Sequence, residues 1–432
     1  MKRIALLVTL ALPAVAHADD SNFRPYILGG QAAGMGGAYT ALADDGTGAY
    51  YNPGGLAFST HSSLSLSASV YGLITGSEAN VLGQGHDFNF SDINTFPVST
   101  AIVRKFGARD TPDGSQNTSL GFAVFVPDAI QIDDRDHAGS MQNAFFLSGI
   151  SQTVWAGATY SRRIGNLGIG VSAFGLLGSE IEFLDLTEAS NASNYLTITS
   201  RIDKSVKGAV LAAGIRYDAS DNLRLGLSVY SPEVGWGSRR IFTRVTTASD
   251  GMTPQIFEQT DDNLSSSPNL PIRIQGGVAW TDKVWTFAAD AIFLGRRVVT
   301  DNLDMAAQGD DQTIIRNNVL DGSVGMEYMA GGSVPIRFGL FTDFAQAPEP
   351  VFHTPGMADP NPSNDAHVDR YGGTLSVGFR TEHTETDVGL IISYGSGKAD
   401  DPNLASDDPT TAEPTIATQL YSYIFITSSY AF

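Results

Sequence analysis

LPIRIQGGVAWTDKVWTFAADAIF, residues 270–293, reads as a strand, a turn and a second strand. Ile272, Ile274, Val278 and Trp280 alternate with Arg273, Gln275, Gly277 and Ala279. A period of two places these sets on opposite faces of a strand. Residues 281–283, TDK, are polar and short enough for a tight turn. One face of this hairpin is greasy and the other carries an arginine, so the two faces need different surroundings.

The same period recurs along the chain. SSLSLSASVYGLI (62–74) sets Leu64, Leu66, Ala68, Val70 and Ile74 against Ser63, Ser65, Ser67 and Ser69. DNLRLGLSVY (221–230) sets Leu223, Leu225, Leu227 and Val229 against Arg224, Gly226, Ser228 and Tyr230. Fourteen such segments are expected, near 62–76, 97–107, 117–127, 151–164, 166–182, 205–218, 222–236, 272–282, 284–296, 315–329, 335–345, 371–382, 387–396 and 417–432. Most exceed the roughly 9–11 residues that a tilted strand needs to cross a bilayer.

The connections alternate in length. Tight turns at 218–222, 281–283, 330–334 and 381–386 interleave with long polar loops near 77–96, 128–150, 183–204, 237–271, 297–314, 346–370 and 397–416. An up-and-down barrel with turns on one rim and loops on the other has this rhythm. With an even strand count, both ends of the barrel fall on the short-turn rim. The non-greasy face carries Arg216, Arg224, Arg273, Asp290, Asp321, Glu327, Arg337 and Arg380 among glycine and serine. A closed barrel serves both faces: apolar residues meet lipid, charges of both signs pair or stay hydrated in the lumen, and closure removes the sheet edges. The alternative is a soluble β-sandwich or propeller, but no blade-length repeat supports a propeller. The expected fold is therefore all-β: a transmembrane, up-and-down antiparallel β-barrel of about 14 strands.

Both ends of the chain fit an outer-membrane protein. Met1, Lys2 and Arg3, an apolar run over 4–16 and Ala16–His17–Ala18 form a secretory signal (1–18) cut after Ala18. LYSYIFITSSYAF (420–432) places Phe432, Tyr430, Ile426, Ile424 and Leu420 on one face, with Tyr421, Tyr423 and Tyr430 as candidates for an aromatic girdle. A terminal strand ending in Phe432 resembles the signal by which the barrel-assembly machinery recognises its clients. Losing Lys2 and Arg3 takes the formal charge from −20 to −22, which argues against nucleic acid as a partner. There is no cysteine, so disulfides and thiol chemistry are excluded.

GGQAAGMGGAYTALADDGTGAYYNPGGLA (29–57) precedes the first strand. It is too rich in glycine for a packed helix and lacks sustained alternation. A lumen enclosed by about 14 strands is too wide for its own side chains to fill. Residues 19–60 are therefore expected to plug it as a hatch, with 61–432 forming the barrel. Glycine lets backbone pass close to backbone, and Asn52, Pro53 and Gly54 make a fixed turn before the wall. Asp44 and Asp45 are expected to pair with lumen arginines. The plainer alternative, a disordered tail, would lack the apolar residues of YILGG, MGGAYTAL and GAYYNP.

This stretch resembles the N-terminal hatch of the outer-membrane hydrophobic-compound transporters, the long-chain fatty-acid and toluene (FadL/TodX-like) family. VLAAGIRYDASDNLRLGLSVYSP (210–232) is similar to that family's mid-barrel hairpin, and 270–293 to the hairpin that follows. The family hatch usually reads Asn-Pro-Ala where this chain has Asn52–Pro53–Gly54. The resemblance implies passive, gated uptake of hydrophobic small molecules, such as long-chain fatty acids or hydrocarbons, across the bacterial outer membrane. It marks Gly34, Gly36, Gly37, Asp44, Asp45, Asn52, Pro53 and Gly54 as hatch residues. Candidate pocket linings are Phe125, Trp155, Phe174, Leu176 and Phe341, each of which has ordinary packing as its alternative role. Implied partners are the hydrophobic ligand, outer-membrane lipid and lipopolysaccharide.

Catalytic signals are absent. GSGK (395–398) lacks P-loop spacing and context. The seven histidines form no zinc motif and there is no G-x-S-x-G elbow. The chain reads as a non-enzyme with no cofactor and no metal site. Acidic residues at 133, 134, 136, 261, 262, 310, 311, 400, 401, 407 and 408 read as solvated loop charge, with weak divalent-cation binding as the alternative. Two competing functions remain: an outer-membrane binding or assembly barrel without small-molecule flux, and a hydrophilic porin with an open lumen.

Overall fold

The computed structural model describes residues 22–23, 26–79, 87–94, 99–138, 143–191, 194–250, 254–264, 270–301, 312–350, 366–401 and 413–432. The secretory segment 1–18 and the acidic positions 310, 311, 407 and 408 lie outside them.

The wall closes as a ring. β1 (Ser63–Glu78) pairs with β2 (Phe88–Asn94) and β3 (Ser99–Phe106), two pieces of one wall strand. β4 (Thr118–Ala138), β5 (Asn143–Ile164), β6 (Leu167–Asn191) and β7 (Asn194–Asp218) follow, each antiparallel to the last. β7 then pairs with β8 (Leu223–Tyr230) and β9 (Val234–Asp250), and these pair with β11 (Arg273–Thr281) and β10 (Gln255–Leu264) respectively. β12 (Trp285–Leu294) is followed by a separate small ladder, β13 (Arg297–Asp301) with β14 (Gln312–Arg316). β15 (Val319–Ala330), β16 (Val334–Asp343), β17 (His367–Arg380), β18 (Thr384–Asp401) and β19 (Glu413–Ala431) complete the circuit. β19 pairs back onto β1, with Ala431 opposite Ser63. Seventeen strands share this sheet, and because three wall strands are each split in two, the barrel has fourteen. The split between β8 and β9 falls at Pro232, which has no N–H to give the ladder.

The expected fourteen segments are the fourteen wall strands. Their lengths differ from expectation. Much of 128–150, 183–204, 237–271 and 397–416, expected as loop, is strand. β6 and β7 each run 25 residues, roughly 80 Å at ~3.3 Å per residue, far beyond the ~25 Å apolar band of a membrane barrel. Antiparallel ladders continue past the bilayer as paired ribbons because backbone hydrogen bonds do not require a greasy face. The apolar stripe marks only the membrane-crossing part.

Alternation survives in the burial pattern. Leu120, Phe122, Val171, Leu211 and Leu375 are exposed on the outside of the wall, and their sequence neighbours are buried. Ten of the exposed aromatics fall at two levels. Tyr217, Trp280, Trp285, Tyr328, Phe379 and Tyr430 lie near the short turns, and Trp236, Phe293, Tyr371 and Tyr394 lie further along the strands. Tyr371 and Phe379 are eight residues apart on β17, about 26 Å along the strand and so roughly 20 Å in height at a tilt of about 40°, comparable to the ~25 Å apolar band between two girdles.

Two residues depart from the simple pattern. Ile74 faces inward and is buried, because a bulge between Ser69 and Tyr71 shifts the register of β1 by one residue. Tyr421 and Tyr423 are buried on the lumen face, so of the three tyrosines proposed for a girdle only Tyr430 faces out. The short connections and both barrel ends share one rim: Gly165–Asn166, 219–222, 282–284, 331–333 and 381–383, beside Phe432, whose N–H donates to the Ser62 carbonyl (2.8 Å).

Candidate functional site

Residues 26–58 lie inside the ring. They are not the helix-free segment that their glycine content implied. They form two short helices, α1 (Gly30–Gly34) and α2 (Gly48–Tyr51), and a 3-10 turn (Gly55–Phe58). Four to five residues per piece leave room for glycine between them. α1 packs on β16–β19, whereas the 3-10 turn packs on β4–β7, a roughly opposite arc. The segment thus spans the lumen.

Its polar backbone groups find partners on the inner wall. The Thr374, Ser172, Ser228 and Ser119 hydroxyls donate to the carbonyls of Gly34 (2.9 Å), Ala49 (3.0 Å), Tyr51 (2.8 Å) and Leu56 (2.8 Å). Asp290 accepts the N–H groups of Tyr39 (2.9 Å) and Thr40 (2.8 Å). Asn52 donates to the carbonyls of Thr40 and Ile215 (2.8 Å each), and its side-chain oxygen accepts the Gly54 N–H (3.0 Å). Asn52 therefore ties the turn both to the wall and to its own segment.

Two close backbone approaches need glycine. Gly36 has φ +65°, and a Cβ on Gly339 of β16 would sit 2.1 Å from the Gly36 nitrogen. A Cβ on Gly54 would lie 2.6 Å from the Gly214 carbonyl oxygen. This accounts for glycine at 54, where the family resemblance would place alanine. Pro53 lies against Gly170, and Gly34 beside Arg337 and Ser376. Gly37, at φ +82°, donates its N–H to the Ala32 carbonyl (2.8 Å) and so closes α1.

The charges expected in the lumen are there, and most are paired. Arg337, fully buried, reaches Glu327 (2.6 Å), Glu385 (2.5 Å) and Asp387 (2.5 Å). Arg380 bonds Glu385 (2.8 Å). Asp321 accepts from Thr342 (2.9 Å) and the Phe344 N–H (3.0 Å). Arg216 pairs with Asp218 (3.0 Å) and with Asp44 (3.4 Å), the one expected contact between a hatch aspartate and a lumen arginine. Asp45 does not make the other. It accepts the N–H (2.9 Å) and hydroxyl (2.6 Å) of Thr47, the local turn to which a short carboxylate is suited. Enclosure in the lumen pushes the Asp45 carboxyl up to about 6, against the Thr47 hydrogen bonds and with the aid of Asp44.

Arg273 is different. It has no ion-pair partner among the described residues. Its guanidinium lies 3.6 Å from the Tyr230 ring centroid, 4.7 Å from Tyr50 and 5.0 Å from Phe23. It donates to the Tyr50 hydroxyl (3.1 Å) and carbonyl (3.2 Å).

The spanning segment separates two cavities. On the short-turn side a cavity of ≈ 420 Å³ is lined by Asp44, Asp45, Arg224, Glu327, Arg380 and Glu385, among others. On the long-loop side a cavity of ≈ 100 Å³ meets Phe23, Tyr50 and Trp155. Four of the five suggested pocket residues are neighbours of one another, though not all at one cavity. Trp155, Phe125 and Phe174 form one aromatic group with Tyr50, with ring centroids 5.6–6.0 Å apart. Leu176 is buried in register with Trp155. Only Trp155 of these borders the long-loop cavity, whereas Phe125 borders the short-turn one. Phe341 stands elsewhere, its ring against Gly372.

Several site residues escaped the sequence reading. Tyr50, at the centre of the aromatic group, sat in a quoted motif but carried no distinguishing pattern. Arg370, buried with Asp343 (2.7 Å), lay in a stretch read as loop. Asn22 donates to the carbonyls of Asp343 (2.7 Å) and Val368 (3.1 Å), a contact spanning more than 300 residues.

No protein-family model matches the chain, and no curated protein matches it in sequence. Solved structures are similar to it. A Pseudomonas aeruginosa FadL homologue shares 12% identity at TM-score 0.62, over 95% of this chain and 100% of that one. The Pseudomonas putida toluene transporter TodX shares 14% at TM-score 0.64, over 95% and 100%. The Ralstonia pickettii toluene transporter TbuX shares 14% at TM-score 0.55, over 94% and 98%. The closed ring, the two faces of its strands and these likenesses converge: the chain has the fold of the FadL homologue and the toluene transporters, a fourteen-stranded transmembrane β-barrel.

Proposed function

We propose that the protein is a gated, passive uptake channel for hydrophobic small molecules in a bacterial outer membrane. In this reading 1–18 is the secretory signal, 19–60 the hatch and 61–432 the barrel, with the short-turn rim in the periplasm. Phe432 engages the assembly machinery, and the outer rim meets lipopolysaccharide. The hatch residues Gly34, Gly36, Gly37, Asp44, Asp45, Asn52, Pro53 and Gly54 seat the segment, and the lumen charges form its socket.

One observation carries the reading. An aromatic group of Tyr50, Phe125, Trp155 and Phe174 sits inside the lumen at the spanning segment itself, within a larger apolar cluster that takes in Leu176, Val210 and Tyr230. A hydrophilic pore gains nothing from that arrangement, whereas a carrier of greasy solutes gains a desolvated waiting place. The likeness in fold to the toluene transporters TodX and TbuX agrees with it.

Flux through proteoliposomes tests it. The intact protein should admit small aromatic hydrocarbons and exclude sugars, and a chain lacking 19–60 should admit both. Free passage of sugars through the intact protein would overturn it.

A further inference from the structure

The long-loop cavity is not uniformly greasy. Its lining divides by chemistry into apolar residues, Phe23, Tyr50, Trp155, Val206 and Leu270, and polar or charged ones, among them Glu180, Lys204, Glu233 and Arg316. At ≈ 100 Å³ it is of the order of a single ring, since an apolar cavity of about 150 Å³ holds benzene. Lys204 and Glu180, directly opposite each other on the neighbouring strands β7 and β6, already pair at 3.3 Å. From this division, and resting on the uptake reading above, we propose that the preferred substrates are single-ring amphiphiles carrying a neutral hydrogen-bonding group.

The chemistry runs as follows. A bare hydrocarbon filling the cavity would strip water from Lys204 and Glu180 and return no hydrogen bond, which is costly. An anionic head would meet the carboxylates of Glu180 and Glu233 as well as Lys204 and Arg316, four lining charges that sum to zero, and would have to draw Lys204 from its partner. Arg273, which has no ion-pair partner among the described residues, cannot receive it. Phe23, Tyr50 and Tyr230 cover the guanidinium, and the cavity beside it is only ≈ 10 Å³. A hydroxyl both donates and accepts, so it serves Glu180 and Lys204 at once without a charge to neutralise. Its ring lies against Trp155 and Tyr50.

The test uses the full-length mature protein in lipid nanodiscs with three probes of matched size: ethylbenzene, benzyl alcohol and benzoate. Binding is read from tryptophan fluorescence, with Trp155→Phe as the site control, because Trp236, Trp280 and Trp285 face outward. Affinities are referenced to each probe's partition into the same lipid. Benzyl alcohol should then bind about 3- to 10-fold tighter than ethylbenzene, the span of one net hydrogen bond. Benzoate should bind weakest. In Glu180→Leu/Lys204→Leu the alcohol's advantage should vanish while ethylbenzene still binds. Equal or tighter ethylbenzene binding in the wild type, tightest binding of benzoate, or an unchanged preference in the double variant would each overturn the proposal and leave the uptake reading standing. If no probe altered the Trp155 signal or crossed the proteoliposome membrane, both would fall.

Discussion

The carboxylate of Asp290, on the inner face of β12, accepts both the backbone N–H (2.8 Å) and the hydroxyl (2.6 Å) of Thr40. A wall residue thus holds the middle of the spanning segment by charge-assisted hydrogen bonds, in a place water scarcely reaches. Asp290→Ala leaves the N–H groups of Tyr39 and Thr40 without that acceptor. At roughly 1.5–3 kcal/mol per hydrogen bond to a charged group, the segment should unseat more often. Single-channel recording in planar bilayers should show frequent openings in the variant and rare ones in the wild type, with Asp290→Asn between.

The backbone contact between Gly36 and Gly339 leaves no room for a side chain. Gly339→Ala places a methyl group against backbone that cannot rotate away, at a cost of roughly 1–3 kcal/mol for overpacking. The wall keeps its ladder, so the barrel should still fold. Limited proteolysis should cut within 26–58 faster than in the wild type.

Arg337 neutralises three carboxylates. Arg337→Leu leaves Glu327, Glu385 and Asp387 crowded together, with Arg380 paired to Glu385 alone among the three in the described residues. Breaking a buried ion network from one side costs about 3–5 kcal/mol. The temperature at which the folded band disappears on a denaturing gel should fall markedly. Arg337→Lys, which restores charge but not three-way geometry, should recover part of it.

Asp45 gives the seat a pH dependence. Its carboxyl is pushed up to about 6 in the folded chain, above its ordinary value near 3.9. A raised folded-state pKa means that the folded state binds the proton more tightly. The stabilisation is complete below the unfolded pKa and is lost as pH rises through about 6. Openings should therefore be rarer at pH 5 than at pH 7.5. Asp45→Asn keeps an acceptor for Thr47 and should remove most of that difference.

The outer face should reject charge. Leu211, midway along the membrane part of β7, is 62% exposed. Leu211→Arg should cost roughly 2–4 kcal/mol at the bilayer midplane, seen as a lower urea midpoint for unfolding from lipid vesicles. Leu211→Ala should be much milder.

The wall was legible because its cause is local. A period of two, repeated fourteen times, fixes which side chains face lipid. The rhythm of TDK and its counterparts fixes which ends share a rim. Where the reading failed, the cause was equally specific: one bulge in β1 turned Ile74 inward, and polar ladders extended strands beyond the greasy stripe that marked them.

The sequence by itself determined the barrel and the sign of each face, because strand periodicity is a property of neighbours along the chain. Only the tertiary structure decided what each lumen residue meets. Asp44 and Asp45 are adjacent, yet one pairs with Arg216 and the other with Thr47. Arg337 and Arg273 look alike in sequence, yet one holds three carboxylates and the other is wrapped in aromatic rings. Those differences arise where strands distant in sequence converge on one space, and distance along a chain carries no record of what lies across a tube.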